Sequence, residues 1–310
     1  MSRHAKRVLV YIGLTFLLSW SLIGIYALSG GKWRGVSGGL IAFFYMLIPA
    51  FSTIIIQKFI YRENVINPLG IRFLWNRWWT IAWVLPPVAA LATFSVSLLL
   101  PDVTFSPDFS GILERMAEDS SAQQLQRIRQ QLQDLPLNPF LIPFLQTLFA
   151  GITINALISF GEELGWRGFL QNELKKLGFW KSSLSVGFIW GIWHAPTILM
   201  GHNYPNHRII GIFMMTLWTI LLSPLIAWVR YRGNSVVVAA IIHGTINASP
   251  GIALLMVQGG NELLVGLTGL AGIIVFSVIC IIIWIFERFI LTTSTTSLMQ
   301  SPHPEHSEEL

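Results

Sequence analysis

Long apolar segments recur along this chain, and they limit its possible folds more than any other feature of the sequence. A stretch of about 17 to 25 mostly apolar residues is long enough to cross a bilayer as a helix. Backbone polar groups in lipid must be satisfied within the protein, so spanning structures are helices or closed barrels. The sequence predicts an all-α, polytopic membrane helix bundle of about eight transmembrane helices. The predicted spans are residues 8–28, 36–60, 79–100, 138–161, 182–200, 209–229, 235–257 and 263–290.

The composition agrees with a membrane protein that carries no attached soluble domain. Of the 310 residues, 53% are hydrophobic and 11% are charged, whereas soluble domains contain about 25% charged residues. The single cysteine, Cys280, lies in an apolar run, which leaves no internal disulfide and no cysteine-based metal site. No basic cluster with interleaved aromatic residues lies outside the spans, so we expect the lipid bilayer and no nucleic acid as a partner.

The chain divides into three predicted parts. Residues 1–139 hold three spans and a polar, amphipathic segment, residues 140–257 form the motif-bearing core, and residues 258–310 hold the last span and a polar tail that we expect to be disordered. The first apolar run is longer than the 7 to 15 residues of a signal-peptide core, so we expect it to be a retained helix.

Residues 101–139 are the longest polar segment between spans. Apolar residues recur there at helical spacing, which predicts two amphipathic helices. Ser121, with Gln124 three residues later, predicts a capping box at the start of the second helix. The segment is either a solvated connector or a lid over a substrate site.

The distribution of basic residues predicts the orientation in the membrane. An even number of spans places both termini on one side, and fourteen Lys and Arg fall on that side against six on the other. Cytoplasmic loops carry an excess of Lys and Arg, so we expect cytoplasmic termini and an active site near the cytoplasmic side. The six residues on the other side are Lys32, Arg34, Arg115, Arg127, Arg129 and Arg208.

A charged cluster follows directly on the fourth span, in the sequence FGEELGWRGFL. An ionisable side chain at membrane depth costs about 2.5 to 3.5 kcal/mol on insertion scales, so such residues are functional candidates. Glu163 and Arg167 are separated by four residues and can form an ion pair on one helix face. Glu162 then remains as a carboxylate that is free to act as a general base.

Two more polar sites lie inside predicted spans. His194 lies twelve residues after Ser182, which places it about 18 Å along its helix. His243 and Asn247 are one helical turn apart and share a face. These depths are compatible with one cavity that also contains the carboxylates. Pro196 and Pro250 follow these polar residues, and a proline inside a helix bends it and frees a carbonyl.

Each of these features also has a purely structural interpretation. Glu163 and Arg167 can form a pair that only orients helices, and His194 can be a packing residue. His243 and Asn247 can link helices through hydrogen bonds. Three tryptophans near the polar residues are better explained by packing than by recognition: Trp166, Trp190 and Trp193.

With these motifs, the chain resembles the CPBP intramembrane proteases, also called the Abi or CAAX-protease family, which includes the type II CAAX prenyl proteases. The family's paired glutamates with an arginine four residues later match Glu162, Glu163 and Arg167. Its aromatic residue four positions before a histidine matches Trp190 and His194, although the family usually has Phe there. Its histidine followed four residues later by Asn or Asp matches His243 and Asn247. The resemblance covers residues 140–251.

The resemblance implies a set of catalytic roles, and general chemistry permits the same set. Glu162 and His194 would activate water, His243 and Asn247 would stabilise the oxyanion, and Glu163 with Arg167 would support the site. Glu162, His194 and His243 are also an acceptable zinc set, and the family has been described both as metallo- and as glutamate-dependent proteases. We expect no cofactor, with zinc as the alternative.

The predicted function is an intramembrane endopeptidase for membrane-anchored or lipidated, CAAX-like substrates. The alternative is a non-proteolytic membrane protein, involved in bacteriocin self-immunity or acting as a scaffold, that uses the same cavity for binding. A proton-coupled transporter is less favoured, because the sequence shows no internal repeat.

Overall fold

Helices dominate the computed structural model of the chain, which describes residues 3–117, 121–134 and 141–290. The all-α, polytopic bundle predicted from the sequence is confirmed, and the chain is an integral, multi-pass membrane protein. The α-helices are α1 (Arg3–Leu28), α2 (Val36–Ile54), α3 (Ile66–Leu69), α4 (Arg77–Ser97), α5 (Ser110–Ala117), α6 (Ala122–Gln133), α7 (Leu141–Ile152), α8 (Ile154–Glu163), α9 (Gln171–Glu173), α10 (Phe179–Trp193), α11 (Ala195–Leu199), α12 (Arg208–Gly233), α13 (Val236–Ala248), α14 (Pro250–Leu254) and α15 (Leu270–Ile285). Ile55–Ile60, Leu164–Leu170 and Phe286–Ile290 form π-helical turns, and Lys175–Leu177 forms a 3₁₀ turn.

Six helices in the described part of the chain are long and apolar enough to cross a membrane, or seven if a bent pair counts as one span. The bent pair is α7 with α8 and its continuation, which meet at an angle of 50°. The fifth predicted span, residues 182–200, corresponds to the 15-residue helix α10 followed by the short α11. The span is therefore broken between α10 and α11, after Trp193, whereas a single continuous helix was expected.

The polar segment after α4 forms helices and a strand. The two predicted amphipathic helices are confirmed as α5 and α6, and both halves of the predicted capping box at Ser121 and Gln124 are present. Strand β1 (Val103–Phe105) pairs antiparallel with β2 (Val257–Gly259), which the sequence analysis did not predict. Parts of the polar segment (residues 118–120 and 135–139), the first residues of the fourth predicted span (138–140) and the predicted disordered tail (291–310) lie outside the described residues.

The outer surface of the bundle is apolar, as a protein in contact with lipid requires. Large apolar side chains are exposed on α1, α2, α8, α12 and α15, whereas polar side chains such as Ser19, Thr93 and Ser223 are buried between helices. The buried apolar residues of the first and second halves of the chain form one main core cluster. The division into three parts remains a prediction.

Helix α8 lies between α2 and α13, and glycines allow this close approach. A Cβ atom on Gly244 would lie 2.4 Å from the backbone nitrogen of Ala156 in α8. One on Gly165, just after α8, would lie 2.2 Å from the hydroxyl of Tyr11. Small residues at such contacts are typical of helix packing in membranes. The contact at Gly244 places the neighbouring His243 against the end of α8.

Candidate active site

The paired glutamates lie at the point where the hydrogen-bonding pattern of the helix changes. Glu162 and Glu163 are the last two residues of α8, and Arg167 lies in the π-helical turn Leu164–Leu170 that follows. Single π-helical turns inside longer helices are frequent at functional sites. All seven residues of this turn are buried, so the charged cluster lies inside the bundle and does not face lipid.

Glu163 connects two helices through its carboxylate. Its Oε1 accepts a hydrogen bond from Arg167 Nη1 at 2.9 Å and another from His243 Nδ1 at 2.8 Å. All three side chains are buried. The ion pair expected from the spacing of Glu163 and Arg167 is therefore present. The bond to His243 was not predicted, and it fixes the orientation of that imidazole.

Glu162 accepts hydrogen bonds from two indole groups. Trp190 Nε1 donates to Glu162 Oε2 at 2.6 Å, and Trp166 Nε1 donates to the same oxygen at 3.3 Å. Both donors are on one oxygen, so Oε1 remains to accept a hydrogen bond from water. These two tryptophans were interpreted as packing residues, and the structure shows that they also bind a carboxylate.

His194 lies at a break between helices. It is the C-cap of α10 and the N-cap of α11, and its Nδ1 lies 2.8 Å from the carbonyl oxygen of Trp190. A carbonyl oxygen can only accept, so Nδ1 carries the proton and Nε2 presents a lone pair. Nδ1 of His243 likewise donates, because it faces the Glu163 carboxylate, which can only accept.

The two prolines beside the site do not lie inside continuous helices, as the sequence analysis had assumed. Pro196 and Pro250 occupy the first turns of the short helices α11 and α14. Proline fits this position, because the first turn has no intrahelical partner for a backbone N–H. The breaks directly follow His194 and Asn247, and they end the helices that carry these two residues.

A cavity of about 710 Å³ contains the predicted catalytic set. Four of the predicted residues line it, whereas the supporting residues Glu163 and Arg167 lie behind its wall. The Trp190 ring centre lies 5.7 Å from that of His194 and 5.2 Å from that of His243, so Trp190 connects the two imidazoles. The four lining residues are Glu162, His194, His243 and Asn247.

Asn247 is the most accessible member of the set. It is exposed to the cavity, and its Nδ2 lies 3.4 Å from the hydroxyl of Ser159. This is a long hydrogen bond, so the amide is weakly held and is available as a donor to a ligand. His243, in contrast, is buried and held by Glu163.

Metal binding by Glu162, His194 and His243 was the alternative that the sequence left open. Among the residues that the structure describes, no group of three His, Cys, Asp or Glu side chains is placed to hold a metal ion. Glu162 is instead bonded to two indoles, and His243 to Glu163. Zinc at Glu162, His194 and His243 stays an alternative predicted from the sequence.

The hydrogen-bonding roles of Trp190 and Trp166 and the bond between Glu163 and His243 were not predicted from the sequence. One signal was available for Trp190, because it replaces the Phe that is usual in the resembled family, and an indole N–H adds a donor that Phe lacks. No signal indicated the bond of His243, since it depends on the relative rotation of α8 and α13.

The fold and the site together define a class: multi-pass helical membrane proteins with carboxylate and imidazole groups around an internal cavity. Residues 143–249, which include all six predicted site residues, match the family described as type II CAAX prenyl endopeptidase Rce1-like. A 96-residue stretch is 31% identical to CAAX prenyl protease 2 of Methanococcus maripaludis and covers 28% of this chain. The resemblance predicted from the three motifs is confirmed over this segment. The match covers 34% of that relative's length.

Proposed function

We propose that the chain is an intramembrane endopeptidase that hydrolyses a peptide bond of a membrane-anchored or lipidated substrate. One observation carries the proposal: Glu162, His194, His243 and Asn247 come from three different helices and line one cavity inside an apolar bundle. Its volume of about 710 Å³ lies within the range of about 300 to 1,000 Å³ that is typical of ligand sites.

Glu162 and His194 are the proposed water-activating pair. Oε1 of Glu162 accepts a hydrogen bond from one O–H of a bound water, while Nε2 of His194 accepts a hydrogen bond from the other O–H. As the water oxygen attacks the carbonyl carbon of the scissile bond, its proton passes to the carboxylate. The same proton is then delivered to the leaving amine nitrogen, which restores the carboxylate. General-base assistance of this kind contributes about 10²- to 10⁴-fold.

Asn247 and His243 are the proposed oxyanion-stabilising residues. The amide of Asn247 donates a hydrogen bond from Nδ2, and its loose contact with Ser159 permits it to turn toward a substrate. His243 is held in one orientation by Glu163, which Arg167 holds in turn. Donors that are fixed before the reaction stabilise developing charge most effectively. Glu163 and Arg167 are therefore positioning residues.

The proposed substrate class combines a peptide with a lipid or transmembrane anchor. The matched family and the archaeal relative carry names that refer to prenylated CAAX substrates, which supports the anchored class. An apolar outer surface allows an anchor to remain in the bilayer while its peptide enters the cavity. The excess of basic residues on the side of the N-terminus supports the proposal that both termini are cytoplasmic.

A fluorogenic lipidated peptide, presented to the purified protein in detergent or lipid, tests the function. Glu162→Gln and His194→Ala should each lower kcat by about 10²-fold or more while the protein still folds. Matched controls are Glu63→Gln and His207→Ala, which change the same residue types outside the cavity. Full activity in Glu162→Gln or His194→Ala would refute the proposal.

The same assay separates proteolysis from the binding alternative. A scaffold or immunity protein would bind the peptide without cleaving it, and Glu162→Gln would leave its affinity unchanged. Metal dependence is tested by measuring the metal content of active protein after chelator washing. We propose a metal-free mechanism, and tightly held stoichiometric zinc in active protein would refute that part.

A further inference from the structure

The loops around the opening of the cavity all lie at one end of the bundle. We call this end the mouth, and it consists of residues 29–35 between α1 and α2, helix α5, residues 200–207 before α12, and residues 259–268 before α15. Each of these segments contributes residues to the cavity lining. Helix α1 runs from Arg3 to the first mouth loop, so the mouth lies at the opposite end of the bundle from Arg3.

Hydrogen bonds between these segments show that they form one surface. Trp33 Nε1 donates to His202 Nδ1 at 3.2 Å, which joins the first loop to the third. Tyr204 donates to the carbonyl of Thr268 at 2.7 Å. Arg115 of α5 donates to the carbonyl of Gly259 at 2.6 Å.

The other end of the bundle, the basic end, is held by ion pairs. Arg7 of α1 contacts Glu63 after α2 and Glu173 of α9, each at 2.8 Å. Arg232 of α12 pairs with Glu287 after α15 at 2.6 Å. These contacts join the ends of helices whose opposite ends reach the mouth.

The two ends differ strongly in charge. All twenty Lys and Arg of the chain lie in the described residues, and Arg167 is buried in the site. Of the others, thirteen lie at the basic end and six at the mouth or on α6, which follows the mouth helix α5. Described acidic residues show the reverse order, with three at the basic end and five at the mouth and α6. The thirteen are Arg3, Lys6, Arg7, Lys58, Arg62, Arg72, Arg77, Lys175, Lys176, Lys181, Arg230, Arg232 and Arg288.

We infer that the cavity opens to the extracytoplasmic side of the membrane, so that the substrate presents its scissile segment from that side. Loops rich in Lys and Arg remain in the cytoplasm, which places the basic end there and the mouth on the other side. The part of this inference that concerns a substrate rests on the proposed function. The part that concerns the orientation of the cavity does not. It replaces the sequence-based expectation of a site near the cytoplasmic side, which considered only the position of Glu162 in its span.

Thiol labelling tests the orientation without requiring any activity. In a Cys280→Ser background, Lys32→Cys places a thiol on the mouth and Lys176→Cys places one at the basic end. Both native side chains are exposed, and each variant removes one positive charge, so the two are matched. A membrane-impermeant maleimide is added to intact cells that express the chain, and to permeabilised cells as a control.

We expect Lys32→Cys to be labelled in intact cells and Lys176→Cys only after permeabilisation. A third variant, Ala42→Cys, places a thiol on the cavity wall and should react with a small impermeant thiosulfonate from outside. The opposite pattern for Lys32→Cys and Lys176→Cys would overturn the inference. Labelling of Ala42→Cys only after permeabilisation would overturn it as well.

Sealed membrane vesicles then test access of the substrate. A lipidated peptide with a charged head that does not cross the bilayer is added to right-side-out and to inside-out vesicles. We expect cleavage by right-side-out vesicles without detergent, and by inside-out vesicles only after detergent is added. The reverse order would overturn the inference but leave the proposed protease intact. If neither preparation cleaves the peptide in detergent, the proposed function fails, and the labelling still decides the orientation.

Discussion

The mouth and the basic end of the bundle differ in how deeply their charged contacts are buried. At the basic end, Arg7 is buried and bonds to two carboxylates and to Gln57. At the mouth, neutral hydrogen bonds of Trp33 with His202 and of Tyr204 with Thr268 occur beside charge-assisted contacts of Arg115 with Gly259 and of Glu262 with His207. Charge-assisted hydrogen bonds are roughly twice as strong as neutral ones. The basic end is centred on one buried arginine, whereas the charged groups of the mouth are half-buried or exposed.

We propose that the basic end holds the helices together, which we call anchoring, and that the mouth admits a substrate, which we call access. Ionic contacts at the basic end join the ends of several helices to one another. The contacts at the mouth surround the cavity that the proposed substrate would enter and leave. Between them lies the buried cluster of Glu163, Arg167 and His243, which belongs to neither end and fixes the site.

The largest effect is expected where an ion pair is fully buried. Arg167→Met leaves the Glu163 carboxylate in the core with only the hydrogen bond from His243, and breaking a buried pair costs about 3 to 5 kcal/mol. The matched variant Arg3→Met removes a pair whose arginine is 70% exposed, and exposed pairs contribute at most about 1 kcal/mol. Unfolding in a denaturing detergent, compared between the two variants, measures this difference. Equal losses would contradict the proposed importance of the central cluster.

A smaller loss is expected for the central residue of the basic end. Arg7→Met removes charge-assisted bonds to Glu63 and Glu173, with an expected cost of about 2 kcal/mol. Because Arg7 does not contact the cavity, kcat of the proposed reaction should stay within about twofold of wild type in the folded protein. Arg115→Met at the mouth is the counterpart, and it should raise KM with a smaller loss of stability. If Arg7→Met changed KM more than Arg115→Met did, the separation of anchoring from access would be wrong.

Much of the site could be predicted from the sequence, because charged groups in an apolar span need partners. That requirement identified Glu162, Glu163 and Arg167, and helical spacing predicted the ion pair that the structure shows. The additional bond from His243 was not predictable, since four-residue spacing describes contacts within a helix and not between helices. The rotation of α13 against α8 depends on the close packing at Gly244.

The fold shows the same limit. Hydrophobic patterns predicted the helical bundle and the two amphipathic helices α5 and α6. They did not predict the pairing of β1 with β2, because three-residue strands separated by about 150 residues carry no detectable periodicity. The break after His194 was also missed, because Pro196 fits either a bent helix or the first turn of a new one.

The hydrogen bond from Trp190 to Glu162 offers a smaller and more specific test. Trp190→Phe keeps an aromatic ring beside His194 and His243 but removes the N–H that donates to Glu162. A hydrogen bond to a charged group contributes about 1.5 kcal/mol or more, so kcat should fall by about tenfold with little change in KM. Trp193→Phe is the control, because its indole donates to Ser19 and not to Glu162. If the control lowered kcat as much, the hydrogen bond to Glu162 would not explain the effect.

The smallest expected effect concerns the pH dependence of the mouth. Burial lowers the pKa of His202 from 6.5 to about 4. Between these values the unfolded chain binds a proton that the native imidazole does not, so stability decreases as the pH falls from 6.5 toward 4 and then levels off. His202 is only half-buried, and solvent screening reduces the loss to about 1 kcal/mol at pH 5.

The measurement is thermal unfolding in detergent at pH 7.5 and pH 5, for the wild type and His202→Gln. The variant should lose this part of the pH dependence, because glutamine can accept the bond from Trp33 but does not titrate. If His202→Gln lost as much thermal stability between pH 7.5 and pH 5 as the wild type, another group would cause the effect. The mouth would then not be the pH-sensitive end.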